Sequence, residues 1–256
     1  MSSDLLFHRD PFRVRAYEAG LDGRASVLTL CDYLQEAAGN HALARGFARL
    51  ALGTGPEATG VWVLRRLRLE ATRLPAWQDT VTVETWASHH QGLRAFREYV
   101  VTDDSGAQIA AATSSWFVLD LERRRPARLP SLLSTVEAPE RPRPFAMDDR
   151  ERPPLVSDAE HPSSFLVRHT DLDLNGHANH GRFVEWAMES VPAAYVQTHA
   201  CMGFDLFIEH EIGSGPLVDV HADTRADGWV HTVRHAGTVL ARVATHWVPA
   251  GPSRPV

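Results

Sequence analysis

The chain has 256 residues, of which 44% are hydrophobic and 23% charged, with a formal net charge of −6. That is the balance of a soluble chain with a real core and one large or two small domains, and it does not favour nucleic acid or an anionic membrane as a partner. None of the 26 basic residues is lysine, which excludes Schiff-base and P-loop chemistry at a lysine.

The opening MSSDLLFHRDPF lacks a signal-peptide core, and no apolar run reaches the roughly 20 residues of a membrane span, so a cytoplasmic location is expected. The first predicted element is a short strand in which Phe12, Val14 and Ala16 alternate. Ser26 then caps a helix over residues 27–45, with Leu30, Leu34, Ala37, Ala38 and His41 at helical spacing and Gly46 as its stop. The GTGPEATG run beyond it lacks a following lysine and is a poor phosphate loop. Strand-like runs follow, TVTVETWAS, LRAFREYVVTD and AQIAAATSSWFVLD, broken by DDSG as in antiparallel hairpins. Eight of the sixteen prolines then fall between Pro126 and Pro162, which reads as an extended connection. After it come a strand with Phe165 and Val167, the loop RHTDLDLNGHANH (168–180), and a helix over residues 180–191. That helix sets Phe183, Trp186, Ala187 and Ser190 on one face and is followed by Pro192. LVDVHADT, WVHTVRH and VLARVATHWV are the last predicted strands. One helix per half against an antiparallel sheet is an α+β plan.

The halves overlay without gaps. FRVRAYEAGLDGRAS (12–26) lies over FLVRHTDLDLNGHAN (165–179), and GAQIAAATSSW (106–116) over GTVLARVATHW (237–247), which points to a duplication. Leu21, Gly23, Ala25 and the cap Ser26 meet Leu174, Gly176, Ala178 and Asn179. Gly20, Asp22 and Arg24, however, stand where the second copy has Asp173, Asn175 and His177. A loop needed only for folding has little reason to carry that trio once, although taken alone it reads equally as a polar turn ahead of a helix. His177 and His180 lie near Asp171 and Asp173, but this is not HExxH and no second cluster supplies further ligands, so neither metal nor cofactor is expected. There is no GxSxG, and GSG at 213–215 reads as a turn. Cys31 and Cys201 stand in no metal-ligand spacing and read as small buried hydrophobes.

TDLDLNGHANHGRFVEWAMESVP (170–192) closely resembles the signature of the fatty acyl-acyl carrier protein thioesterases, tandem hotdog proteins of plants and bacteria. LQEAAGNHA resembles that family's first helix, GVWVLRRLRLEATRLPAWQDTVTVETW its first strands, and SSWFVLDLERRRPARLP the end of its first domain. The resemblance implies an α+β tandem (double) hotdog, each unit a long helix packed against a curved antiparallel sheet. Residues 1–130 would be an acyl-binding unit, 131–162 a proline-rich linker and 163–256 the unit carrying the catalytic motif. The family's catalytic Asp, Asn and His match Asp173, Asn175 and His177. Its later strand glutamate is best matched by Glu211 in FIEHEIGSG, with Glu209 expected two residues away on the same strand face. Ile212 stands where plant members have a cysteine, which excludes a cysteine nucleophile there.

The implied reaction is hydrolysis of fatty acyl-acyl carrier protein to free fatty acid. The alternatives are an acyl-CoA thioesterase and a non-catalytic acyl-binding protein. Glu211, shielded by an apolar pocket, would have the raised pKa of a general base. The implied partner is an acidic carrier protein, for which Arg65, Arg66 and Arg68, or Arg123, Arg124, Arg125 and Arg128, offer basic patches. Trp62 and Trp86 are candidates for the acyl pocket or for ordinary core. Pairing into a homodimer is compatible with this plan.

Overall fold

The computed structural model describes residues 6–46, 60–120, 122–123, 125–126, 138–148, 150–157 and 162–250. The first half contains β1 (His8–Arg13), a 3-10 turn (Ala16–Glu18), α1 (Val27–Ala44), β2 (Gly60–Ala71), β3 (Thr80–Gln91), β4 (Arg94–Asp103), β5 (Gln108–Asp120) and β6 (Arg125–Pro126). The second contains β7 (Ser163–Leu166), a 3-10 turn (His169–Asp171), α2 (His180–Glu189), α3 (Ala193–Val196), β8 (His199–Ile208), β9 (Leu217–Arg225), β10 (Gly228–His235) and β11 (Thr238–Pro249). The strands form one antiparallel sheet in the order β1-β3-β4-β5-β2-β8-β11-β10-β9-β7, with β6 beside β5. α1 and α2 touch each other and pack on the sheet, and one continuous apolar core includes the buried residues of both.

The second half repeats the first down to its hydrogen bonds. Thr72 N and Arg73 N both donate to Ile109 O (2.8 and 3.4 Å), and Glu209 N and His210 N both donate to Leu240 O (2.7 and 3.0 Å). Trp116 Nε1 donates to Ser114 Oγ, and Trp247 Nε1 to Thr245 Oγ1. Counting back equally from Thr72 and Glu209 makes Arg68 and Asp205 equivalent, and these two face each other across β2 and β8. A residue paired with its own equivalent lies on a two-fold axis, the geometry of a symmetric dimer, here inside one chain.

Three expectations change. The first strand ends at Arg13, because Ala16 already opens a 3-10 turn. The second helix ends at Glu189 rather than residue 191, where Ser190 Oγ turns back to Ala187 O (2.7 Å) ahead of Pro192. β8 is a strand that no sequence pattern announced. It carries Gly203 in its middle, where a Cβ would come within 2.7 Å of Leu69 O on β2. The close central pairing therefore requires glycine at a position where a propensity reading expects none.

The proline-rich connection, where described, crosses the outer face of the sheet as a strap. Arg141 lies over Phe7 and Trp86 and pairs with Glu84. Phe145 N donates to Thr113 Oγ1 (3.3 Å), and Val156 N to Thr232 Oγ1 (2.8 Å). Between them Arg66, only 4% exposed, grips Asp205 through two bonds (2.6 and 2.8 Å) and donates to Asp148 O and Glu151 O. Arg66→Ala strands a largely buried carboxylate and frees the strap, which should cost about 3 kcal/mol. A fall in the urea midpoint read by tryptophan fluorescence checks this; an unchanged midpoint refutes it. Among the described residues, no helix is long and apolar enough to cross a membrane.

Candidate active site

The loop before α2 is a stack of tight turns. Asp171 is buried and takes the backbone N–H (2.7 Å) and the guanidinium (2.7 Å) of Arg168. Burial raises its pKa, but these hydrogen bonds lower it further, so its carboxyl is held below the usual range. Asp171 is thus spent on the fold, and among the described residues no group of three or more His, Cys, Asp or Glu is arranged to hold a metal. Glu18 repeats the arrangement with Arg15 in the first half.

Next, Asp173 N donates to His177 O (2.8 Å) and Gly176 N to Asp173 O (3.0 Å). Gly176 supplies the positive φ of +76° that this turn requires, as Gly23 does at +72° in the first half. Asp173 Oδ1 accepts from Asn175 N (2.8 Å) and, more weakly, from His177 N (3.4 Å). Ala178 N then reaches Ile212 O (2.8 Å), which fastens the loop to the segment carrying Glu211.

This fastening brings His177 Nδ1 to 3.3 Å from Glu211 Oε2. The spacing is that of an ion pair, but the alignment is not that of a hydrogen bond, and Nδ1 has no other partner among the described residues. Their side chains are 42% and 35% exposed, so Glu211 is less shielded than the sequence led one to expect; full shielding requires an occupant of the cavity beside it. Glu209 and Glu211 do not share a strand face, because β8 ends at Ile208. Glu209 turns to Arg242 (2.6 Å) and Arg152 (3.8 Å).

Asn179 closes the loop. Its Oδ1 caps α2 by accepting from Gly181 N (2.9 Å), and its Nδ2 donates to Gln35 Oε1 on α1 (3.0 Å). Arg182 N returns to Asn179 O. Of the first amides of α2, that of His180 meets no acceptor among the described residues. Its free N–H is part of the positive end of the helix dipole. The His180 imidazole is brought down to about 4 by burial and then by the charge of Arg182, so it is neutral.

Asp173, Asn175, His177, His180 and Glu211 together border a cavity of about 360 Å³. It runs between α1 and the first-half sheet, past Ala38, Ala42, Trp62, Leu64 and Trp116, to Arg97. Trp62 lines it. Trp86 does not; it is buried under the strap against Phe7. Gln35, Arg97 and Trp116 were not singled out from the sequence. The one available signal was the stripe of small residues Ala38, Gly39 and Ala42 on α1, which leaves room under the helix.

The equivalent place in the first half lacks that set of residues. Ala25 N donates to Pro75 O (2.9 Å) as Ala178 N does to Ile212 O, so Leu74 stands where Glu211 does. Gly20, Asp22 and Arg24 complete that counterpart, and Arg24 spends its guanidinium on Leu74 O (2.9 Å).

The arginines proposed for carrier docking are mostly engaged internally. Arg66 is buried in its pair with Asp205, Arg65 donates to Ile208 O over Phe207, and Arg68 pairs with Glu70 over Phe145. Arg123 is exposed and paired with Asp120, and Arg125 is exposed on β6. Arg124 and Arg128 lie outside the described residues.

Cys31 and Cys201 are buried, and burial pushes both thiols up, that of Cys201 to about 12. Neither is a thiolate at neutral pH. Cys201→Ala is expected to keep wild-type turnover in a thioester assay; loss of turnover in a folded variant would reopen cysteine chemistry.

Residues 6–134 match the family model described as the acyl-ACP thioesterase N-terminal domain, and residues 156–249 that of the C-terminal domain. The chain is 29% identical to the chloroplastic oleoyl-acyl carrier protein thioesterase of Coriandrum sativum, over 92% of this chain and 69% of that one. It spans 62–69% of the length of the curated relatives it matches. Among solved structures it resembles an acyl-ACP thioesterase from Bacteroides thetaiotaomicron, with a TM-score of 0.84 and 25% identity over 97% of this chain and 100% of that one. It also resembles the 12:0-ACP thioesterase from Umbellularia californica, with a TM-score of 0.78 and 26% identity over 96% and 98% of the two chains.

Proposed function

The chain belongs to the acyl-ACP thioesterase family, and from that membership we propose that it hydrolyses fatty acyl-acyl carrier protein and releases the free fatty acid. The observation that carries this reading is the polar mouth of the cavity, where Asp173, Asn175, His177 and Glu211 meet one apolar passage. The two halves are read as hotdog units, 1–130 and 163–256, joined by the linker 131–162. The first unit takes the acyl chain and the second carries the chemistry.

Glu211 is the general base. Among the described residues its carboxylate pairs with His177 alone, whereas Asp173 already accepts two backbone N–H groups through Oδ1. Water held between Glu211 and the Asn175 amide gives its proton to Glu211 as its oxygen bonds to the thioester carbon. The carbonyl oxygen gains the negative charge and faces the His180 N–H at the tip of α2; one such donor is worth roughly 3 kcal/mol in the transition state. When the tetrahedral centre collapses, the C–S bond breaks and the electron pair leaves with the carrier's sulfur. The proton on Glu211 passes to that thiolate, with His177 between them as the relay. Asp173 holds the turn that sets His177 in place.

A panel of acyl-carrier-protein and acyl-CoA thioesters of matched chain length tests this, assayed in single turnover with wild type and Glu211→Gln. Hydrolysis faster on the carrier protein, and lost in the variant, is expected. Binding of thioester without cleavage would leave only an acyl-binding protein, and faster cleavage of CoA esters would move the activity to that carrier.

A further inference from the structure

The far wall of the cavity holds a cation that no carboxylate among the described residues pairs with. Arg97 sits on β4, lines the cavity and reaches His41 on α1. Nη1 donates to His41 Nδ1 (2.9 Å) and to Thr85 Oγ1 (3.2 Å). His41 accepts through Nδ1, so that nitrogen carries no proton. Among the described residues no carboxylate pairs with Arg97, and no protein acceptor meets its Nε or Nη2. Arg97 is half-buried, a cation withdrawn from water without a counter-charge is costly, and burial lowers its pKa.

The surroundings extend the polar character. Ser114 Oγ accepts from Trp116 Nε1 (2.7 Å) and lies 3.3 Å from Tyr99 Oη. Ala87 and Ala95, both small, line the cavity beside Arg97 and leave room there. β8, β2, β5 and β4 are successive strands, so at a spacing of about 4.8 Å this wall stands roughly 14 Å from the line of β8, beyond whose end Glu211 lies.

The second half shows that the fold does not need a cation here. Arg97 faces Ser114 across β4 and β5, and Trp229 faces Thr245 across β10 and β11. Because Ser114 and Thr245 are equivalent, Trp229 is the counterpart of Arg97. Tyr195 packs edge-on against both Trp229 and Trp247. The same scaffold position is thus closed by apolar packing in one half and left open with a guanidinium in the other.

We propose that this end of the cavity is a polar subsite in which Arg97 receives an oxygen carried at the far end of the acyl chain, so that the substrate class is an acyl thioester bearing a distal hydroxyl or carboxylate. The assignment rests on the thioesterase reading above and narrows its substrate. The Nε and Nη2 protons donate to that oxygen, while His41 and Thr85 hold the guanidinium plane.

The experiment compares acyl-carrier-protein thioesters of matched length ending in a methyl, a hydroxyl or a carboxylate, over a series of lengths. At the length that reaches Arg97, kcat/KM for an oxygen-bearing chain should exceed that of its methyl analogue by about ten-fold or more. Arg97→Met should erase that ratio, and Arg97→Lys should keep part of it. A hydroxyl preference equal to that for carboxylate assigns hydrogen bonding; a larger carboxylate preference assigns charge. Wild type favouring the methyl chain at every length, or an unchanged ratio in Arg97→Met, overturns the proposal. Should Arg97→Met fail to fold, the wild-type ratio and Arg97→Lys decide. If no thioester is cleaved at all, the hydrolase reading has failed separately. The subsite is then read by titrating free dicarboxylic, hydroxy and monocarboxylic acids of matched length against tryptophan fluorescence. Tighter binding of the doubly oxygenated acids supports it, and equal binding ends it.

Discussion

Glu211→Gln is expected to lower kcat on an acyl-carrier-protein thioester by about 10²–10⁴-fold, the range for a lost general base, with little change in the unfolding midpoint. Glutamine has the size of glutamate and leaves an oxygen near His177 Nδ1, but it cannot take a proton from water. Glu211 makes no other ion pair with the described residues and is 35% exposed, so removing its charge releases little native structure. Glu209→Gln is the matched control. That carboxylate binds Arg242 and Arg152, and its loss should cost stability while leaving the single-turnover rate close to wild type. Both variants are read by rapid-quench cleavage and by urea unfolding. A Glu211→Gln enzyme with wild-type cleavage would remove Glu211 from the chemistry and move the base role to Asp173, which also borders the cavity. The reverse pattern, with Glu209→Gln inactive and folded, would mean that the wrong member of the pair had been chosen.

What could be read in the chain beforehand was whatever is local or repeated. The turn at 173–178 and its counterpart at 20–25 are legible because glycine at a positive φ and a capping side chain leave marks at fixed offsets. The difference between the copies at Gly20 and Asp173, Asp22 and Asn175, and Arg24 and His177 needed only the overlay. Glu211 was harder, since its link to His177 runs through Ala178 N and Ile212 O across the fold, and only a family resemblance pointed there. β8 escaped because Gly203 meets a demand of the central pairing that its own strand does not reveal. The strap read as a mere spacer, since its anchors are side chains of β2, β3, β5 and β10 that lie far away in sequence. The cavity was the least legible feature. It exists because α1 is small-sided over strands that become neighbours only after folding, and no window of sequence holds Ala42, Trp116 and Arg97 together.

Ala42→Tyr is expected to abolish turnover of long acyl chains, by about a hundred-fold or more on a cavity scaled by the loss of a fully buried chain end, while short chains remain substrates. The model for the change is inside the molecule. In the second half Tyr195 packs against Trp229 and Trp247 at the end of the helical region, in the space whose first-half counterpart is bordered by Ala42 and Trp116. A tyrosine at 42 extends from a Cβ that already borders the cavity, so its ring occupies the passage between the polar mouth and Arg97. Glu211, His177 and the tip of α2 lie at the other end and keep their geometry, which is why the effect should depend on chain length and not on catalysis as such. Rates across an acyl series, plotted for wild type and variant, separate the two. A uniform loss at every length would mean that the substitution had disturbed α1 and with it the Gln35–Asn179 bond. Undiminished rates on long chains would mean that the acyl group takes another path, and the assignment of the first unit as its binding site would fail.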